Sequence, residues 1–99
     1  MTINSTKDGS KLTVALEGRL DTTTAPELEE ELTKYNDEID DITLDFSSLE
    51  YISSAGLRVL LGEQKAMSKK GGKMLVKNVN DTIMEVFEIT GFTDVITIE

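Results

Sequence analysis

The chain of 99 residues contains no cysteine and no histidine. Without cysteine no disulfide framework can form, and without either residue type the usual zinc and copper ligand sets cannot be assembled. The usual serine triad also needs a histidine base. We therefore expect a protein of a reducing cytoplasm with no structural metal, no cofactor and no serine triad.

Long apolar runs and an excess of positive charge are also missing. No stretch approaches the ~20 apolar residues that a membrane-spanning helix needs, and the N-terminal "MTINSTKDGS" lacks the features of a secretory signal. The net charge of −9 repels nucleic-acid phosphates and anionic lipid headgroups. We expect no nucleic-acid partner and no direct membrane insertion, whereas a protein partner with a basic surface fits this charge.

The chain does contain a pattern of strands. "KLTVALEG" alternates with the period of a half-buried strand that Gly18 ends, and the "DG" at Asp8 and Gly9 predicts an antiparallel hairpin with Thr2 to Thr6. "DITLDF" is a short, largely apolar run, suited to a strand covered on both faces. "KMLVKNV" and "DVITI" predict two more strands.

Three helices are predicted between these strands. The first follows a capping box and carries proline in its first turn, and its acidic run from Glu29 to Glu31 indicates a solvated face. The first helix is predicted to begin at Thr24, with Pro26 and Glu27 in its first turn. The second is predicted to begin at Ser54 and to end at Gly71 and Gly72. The third is predicted to begin at Asn80 or Asp81 and to end at Gly91. Strands that alternate with helices form parallel pairs. We therefore predict one α/β domain over residues 1–99, a mixed β-sheet with helices packed mainly on one face.

Few groups remain from which an active site could be built. A serine–lysine pair is the one route left to a nucleophilic serine, and the order of the lysines points to no such pair. "GGK" lacks the length and the hydroxyl residue of a phosphate-binding loop, and the carboxylates of "NDEIDD" do not follow calcium-loop spacing. Asp21 is either an acid or base or, equally well, a turn residue. We do not expect an enzyme.

The stretch "YISSAGLRVLL" places two serines between a strand and a helix. In one interpretation Ser53 or Ser54 is the N-cap of the helix, with its hydroxyl accepting a hydrogen bond from a free backbone N–H. In the other, a serine is displayed at the positive end of the helix, where an attached phosphate is tolerated by the fold and changes a docking surface. The residues alone leave both interpretations open.

Three segments, "GRLDTTTAPELEEEL", "ITLDFSSLEYISSAGLRVLL" and "FEITGFTDVITI", resemble the STAS domain family, in particular the bacterial anti-sigma factor antagonists. The resemblance spans nearly the whole chain. It implies a protein that is monomeric alone and that binds an anti-sigma factor with serine-kinase activity, which frees a sigma factor. The kinase phosphorylates the antagonist, bringing its own ATP and magnesium, and a PP2C-type phosphatase removes the phosphate.

The resemblance also implies roles for single residues. Ser54, which precedes Ala55 and Gly56, corresponds to the phosphoacceptor. Asp21, in the loop before the first helix, and Asp45, at the end of the central strand, are implied to lie near that serine and to shape its site.

This sequence departs from the commonest family pattern beside the phosphoacceptor. Ser53 stands where an aspartate is usual, and Ala55 stands where a serine or threonine is usual. Ser53 is therefore a second candidate for modification, or the cap of the helix.

Two other functions remain open at this point. Stand-alone STAS domains are also similar to constitutive interaction subunits of lipid transporters and sensory assemblies. Some members of the fold are thought to bind nucleotides, although this acidic chain has no glycine-rich phosphate loop.

Overall fold

The computed structural model describes all residues, 1–99, as five strands and three helices. The strands are β1 (Thr2–Asp8), β2 (Lys11–Leu20), β3 (Asp41–Ile52), β4 (Lys73–Lys77) and β5 (Thr97–Ile98). The helices are α1 (Ala25–Tyr35), α2 (Ser54–Lys69) and α3 (Asp81–Thr90), and a short 3₁₀ turn covers Phe92–Asp94. The strands lie in the order β1-β2-β3-β4-β5, so each strand pairs with its neighbours in the chain.

The sheet is mixed, as the sequence predicted. β1 and β2 form the antiparallel hairpin, and β2, β3, β4 and β5 are parallel to one another. Each parallel pair is joined through one helix, since α1, α2 and α3 each lie between two consecutive parallel strands. The carboxyl ends of these strands therefore meet at one edge of the sheet, together with the amino ends of the helices.

A single apolar core lies between the sheet and the helices. Alternate residues of the central strands are buried, such as Val14 in β2 and Leu44 in β3, and they pack with Leu28, Leu60 and Phe87 of the three helices. The side chains in between, such as Thr43, are only partly buried. The prediction that helices pack on one face is confirmed, and the expectation that "DITLDF" is covered on both faces is wrong.

Two strands are longer than their sequence patterns suggested. β3 continues beyond "DITLDF" to Ile52, and β2 continues through Gly18 to Leu20, so the prediction that Gly18 ends the strand is wrong. The β2–β3 register shifts between Ala15 and Glu17 and again between Gly18 and Arg19. The extra residues lie in β3, where they interrupt the alternation of buried and exposed residues, which is why the pattern of β3 seemed to stop early. β5, by contrast, is shorter than "DVITI".

The helix ends were predicted with mixed success. Asn80 caps α3 by accepting a hydrogen bond from the N–H of Ile83, and Gly91 ends α3 in the left-handed conformation, as expected. The predicted capping box of α1 is wrong. The Thr24 side chain makes no cap hydrogen bond, and its hydroxyl donates to the carbonyl of Arg19 instead. No helix is long and apolar enough to cross a membrane.

Candidate functional site

The turn between β3 and α2 lies beside the loop between β2 and α1. Leu20 is paired with Ile52 at the ends of their strands, and the N–H of Ser53 donates to the carbonyl of Leu20 at 2.9 Å. Parallel pairing thus brings the residue after β2, Asp21, next to the serine turn. Asp21 and the two serines therefore lie at the same edge of the sheet.

The two serines differ in exposure and in position. Ser54 is the first residue of α2, and its side chain is exposed. Ser53 occupies the N-cap position in an extended conformation, yet its side chain makes no cap hydrogen bond. The Oγ atom of Ser53 is buried and has no hydrogen-bond partner. Ser53 is therefore a cap by position only, and the expectation that its hydroxyl caps the helix is wrong.

Gly56 allows the first turn of α2 to lie directly on the strand ends. A Cβ atom at this position would be 2.8 Å from Cγ1 of Ile52 and 2.8 Å from Cγ of Leu20, both of which are buried. These distances are shorter than carbon atoms tolerate, so a larger residue would push the turn outwards. Gly56 thereby fixes where the neighbouring Ser54 is displayed.

Asp21 organises the adjacent loop. Its Oδ1 atom accepts hydrogen bonds from the hydroxyl of Thr23 at 2.8 Å, from the N–H of Thr23 at 3.0 Å and from the N–H of Thr24 at 3.2 Å. The Thr23 hydroxyl and these backbone donors favour the charged carboxylate and hold the pKa of Asp21 below its usual range. Between the two roles that the sequence left open, the structure shows a turn residue.

The expected position of Asp45 is wrong. Asp45 lies in the middle of β3 rather than at its end, because the strand continues to Ile52. Its carboxylate accepts hydrogen bonds from Nδ2 of Asn78 at 2.9 Å and from the N–H of Ser47 at 3.0 Å. The Asn78 amide is the main reason why the pKa of Asp45 lies below its usual range. These bonds connect β3 to the segment after β4 and involve no residue of the serine turn.

Two arginines flank the site, and neither was predicted from the sequence to belong to it. The guanidinium of Arg19 lies 4.2 Å from the centre of the Tyr51 ring, and its Nε is 3.9 Å from Oδ2 of Asp21. Arg58 is exposed and is four residues after Ser54, so the two side chains share one face of α2. These are the two arginines of the chain, and the i, i+4 spacing of Arg58 could have been noticed in the sequence.

No group of three or more aspartate and glutamate side chains converges at a point where it could hold a metal ion. The site therefore consists of one exposed hydroxyl at a helix amino end, one structured aspartate loop and two arginines.

Comparisons with known proteins identify the family of the chain. Residues 2–99 match the STAS domain family. The chain is 32% identical over 85 residues to the anti-sigma-B factor antagonist of Bacillus subtilis (strain 168), covering 86% of this chain and 78% of the relative. It is 35% identical over 95 residues to the anti-sigma-B factor antagonist of Staphylococcus aureus (strain NCTC 8325 / PS 47), covering 95% and 88%.

A solved structure gives the same fold. The Bacillus cell fate determinant SpoIIAA in its phosphorylated form superimposes with a TM-score of 0.80 at 17% identity, covering 99% of this chain and 91% of that chain. The chain therefore belongs to the STAS domain family, and the two curated relatives described above are anti-sigma factor antagonists.

Proposed function

We propose that this protein is a cytoplasmic anti-sigma factor antagonist that is switched off by phosphorylation of Ser54. In its unmodified form it binds an anti-sigma factor that is also a serine kinase, and the sigma factor is released. The kinase phosphorylates Ser54 and the complex dissociates, and a PP2C-type phosphatase restores the binding form. The identity to two anti-sigma-B factor antagonists over most of the chain supports this assignment.

The exposure of Ser54, against the burial of the hydroxyl of Ser53, carries the proposal. A kinase must reach the hydroxyl oxygen that it phosphorylates, and Ser54 is exposed at the first position of α2. The Oγ atom of Ser53 is buried, so a phosphate could be added there only after the turn had opened. Of the two candidate serines, Ser54 is therefore the acceptor that the folded chain supports.

A phosphate on Ser54 fits the fold and changes its surface. It adds about −1.5 to −2 charges at the amino end of a helix, where the free N–H groups and the helix dipole favour an anion. Arg58, one turn further along, adds a positive charge on the same face. The folded chain should therefore remain intact, whereas a partner surface that fits a neutral hydroxyl meets a bulky dianion and dissociates.

The remaining residues of the site have supporting roles in this proposal. Asp21 holds the neighbouring loop through its bonds to Thr23 and Thr24, and Gly56 sets the height at which Ser54 is presented. Ser53 contributes no accessible hydroxyl. The chain supplies no catalytic group of its own, and ATP and magnesium enter with the kinase.

The experiment compares four baits in a pull-down from the native cell lysate: wild type, Ser54→Asp, Ser54→Ala and the matched control Ser53→Ala. Captured proteins are identified by mass spectrometry, and the loaded beads are then washed with ATP and magnesium. We expect wild type, Ser54→Ala and Ser53→Ala to retain a serine kinase of the anti-sigma type, and Ser54→Asp to retain at least tenfold less. Added ATP should release the kinase from wild type and Ser53→Ala but not from Ser54→Ala.

Three results would contradict the proposal. If all four baits capture one transporter subunit or scaffold equally, and no kinase, the protein is a constitutive interaction subunit. If Ser53→Ala, and not Ser54→Ala, resists release by ATP, the phosphoacceptor is Ser53. If ATP releases the kinase from none of the baits, binding to the kinase is not regulated by phosphorylation of this chain.

A further inference from the structure

A groove runs between α1 and α2, starting next to Ser54. Its first part, about 240 Å³, is bordered by Thr22, Ala55 and Arg58 at the amino ends of the two helices. Its second part, about 250 Å³, lies one to two turns further along and ends at Glu63. Glu29 and Val59 line both parts, so the two parts adjoin one another.

The far end of the groove contains hydrogen-bond acceptors without donors. Glu63 is 4% exposed, the one buried charged residue of the chain. Its Oε1 accepts a hydrogen bond from Nδ2 of Asn36 at 3.1 Å, but its Oε2 is buried without a partner. Oδ1 of Asn36 is likewise buried and unpartnered. Both residues line the same pocket, and each has one buried acceptor oxygen to which nothing donates.

Lys70, the cation of this chain that acts on the pocket, already donates hydrogen bonds elsewhere. Burial raises the pKa of Glu63 above its usual value, and it outweighs both the hydrogen bond from Asn36 and the charge of Lys70. The Nζ of Lys70 itself donates to the backbone carbonyls of Asn36 and Ile39. The other acid at the pocket, Glu29, adds a second negative charge and no donor. The unmet requirement is for a positively charged group with several N–H donors.

We propose that this pocket receives the guanidinium or ammonium group of an arginine or lysine side chain from the protein that docks on the Ser54 end of α2. A guanidinium has five donors in a planar fork and can reach a carboxylate oxygen and an amide oxygen together. The identification of the partner rests on the proposed function, because the groove leads from Ala55, beside Ser54, to Glu63. The net charge of −9 favours a basic partner surface as well.

The pocket chemistry is tested first on the full chain alone, without any partner. The carbon-13-labelled protein is titrated at pH 7 with ethylguanidinium and followed by NMR at the Glu63 carboxyl carbon and the Asn36 side-chain amide. Tetramethylammonium, which has the same charge and no N–H donor, is the control ligand. Glu30→Gln is the control variant. Glu30 is exposed on α1, so this substitution removes the same charge outside the pocket.

We expect a saturable response to ethylguanidinium and none to tetramethylammonium. Glu63→Gln should weaken the binding at least tenfold, and Glu30→Gln should weaken it less than twofold. The inference is overturned if ethylguanidinium gives no saturable response, or if Glu63→Gln binds it like wild type. It is also overturned if the carboxyl carbon shows Glu63 to be protonated at pH 7, because the proton then serves as the missing donor.

The source of the cation is tested separately with the pull-down described above. A Glu63→Gln bait should retain at least tenfold less kinase than a Glu30→Gln bait. If the pocket binds ethylguanidinium but both baits retain the kinase equally, the pocket takes a small cation and the docking part of the inference is wrong. If wild type retains no kinase while ethylguanidinium still binds at Glu63, the proposed function fails together with the docking part, and the pocket chemistry remains.

Discussion

The two ends of helix α2 are built in opposite ways. At the carboxyl end the backbone groups are paired, since the N–H of Gly72 donates to the carbonyl of Met67 at 2.7 Å and that of Gly71 donates to the carbonyl of Ser68 at 3.1 Å. The side chain of Lys70 adds bonds to two carbonyls of the α1–β3 loop. At the amino end, Ser53 leaves its hydroxyl unpartnered and Ser54 points into solvent.

The two ends also differ in their charged residues. Lys65, Lys69 and Lys70 lie towards the carboxyl end of α2, and Arg58 lies in the first two turns with Arg19 on the adjacent strand. Lysines at the carboxyl end complement the helix dipole, whereas arginines beside the amino end do not. One end is therefore arranged for stability, and the other leaves Ser54 and Arg58 exposed.

The largest effect is expected from a substitution at the stable end. In Gly72→Ala the new Cβ would lie 2.3 Å from the backbone carbonyl oxygen of Asp40, which cannot rotate away as a side chain can. The same carbonyl accepts the N–H of Lys73 at 2.9 Å, so the start of β4 would shift as well. We expect a loss of about 3 kcal/mol in the free energy of unfolding, measured by urea titration.

Gly62→Ala is the matched control for this prediction. Gly62 lies inside helix α2, and a Cβ added there meets nothing within 4 Å. Alanine should therefore increase the stability by about 0.5–1 kcal/mol through helix propensity. Equal urea midpoints for Gly72→Ala and wild type would mean that the α2–β4 connection is not as tightly packed as described.

The substitution Glu63→Gln is expected to have an effect of intermediate size and of opposite sign to Gly72→Ala, because it should increase the free energy of unfolding. Because burial raises its pKa in the folded state, the charged carboxylate opposes folding, and this cost is removed as the pH falls through the folded-state pKa. Glu63→Gln removes the charge, and its side-chain NH₂ can donate to Oδ1 of Asn36. We expect the variant to be about 1 kcal/mol more stable than wild type at pH 8.

The pH dependence separates this explanation from a simple change in packing. The difference in the free energy of unfolding between Glu63→Gln and wild type should narrow as the pH is lowered, because wild-type Glu63 then becomes neutral too. Thermal unfolding at several pH values measures it. A difference that does not change with pH would mean that the charge on Glu63 has no role.

The site and the rest of the fold also differ in how much of each could be predicted from the sequence. Order and type of the elements were predictable because apolar periodicity reports burial directly, and Gly91 and Asn80 carry local signals for helix ends. Asp45 was misplaced because the β3 irregularities conceal how far that strand extends. Glu63 was missed although it lies three residues after Leu60 and four before Met67, on the buried stripe of α2. An acid at such a position is a sequence signal for a buried charge.

Arg19 could not have been placed by spacing. Its contact with Tyr51 depends on the pairing of β2 with β3, in which these two residues are partners. That register follows two shifts along the strands, and local sequence rules do not report such shifts. The exposed hydroxyl of Ser54 was found by its position in a motif, whereas the charges around it required the three-dimensional arrangement.

The smallest effect is expected from Ser53→Ala, which tests directly whether the amino end of α2 lacks a side-chain cap. Ser53 and Asn80 both occupy N-cap positions in extended conformations, but only Asn80 caps its helix, and its Nδ2 also donates to the carbonyl of Leu49 at 3.0 Å. Asn80→Ala should therefore reduce the free energy of unfolding by about 1–2 kcal/mol, whereas Ser53→Ala should change it by less than about 0.5 kcal/mol. Urea titrations of the two variants measure this difference. If Ser53→Ala costs as much as Asn80→Ala, the hydroxyl of Ser53 caps α2 in solution, and the amino end of α2 is a closed helix terminus like that of α3.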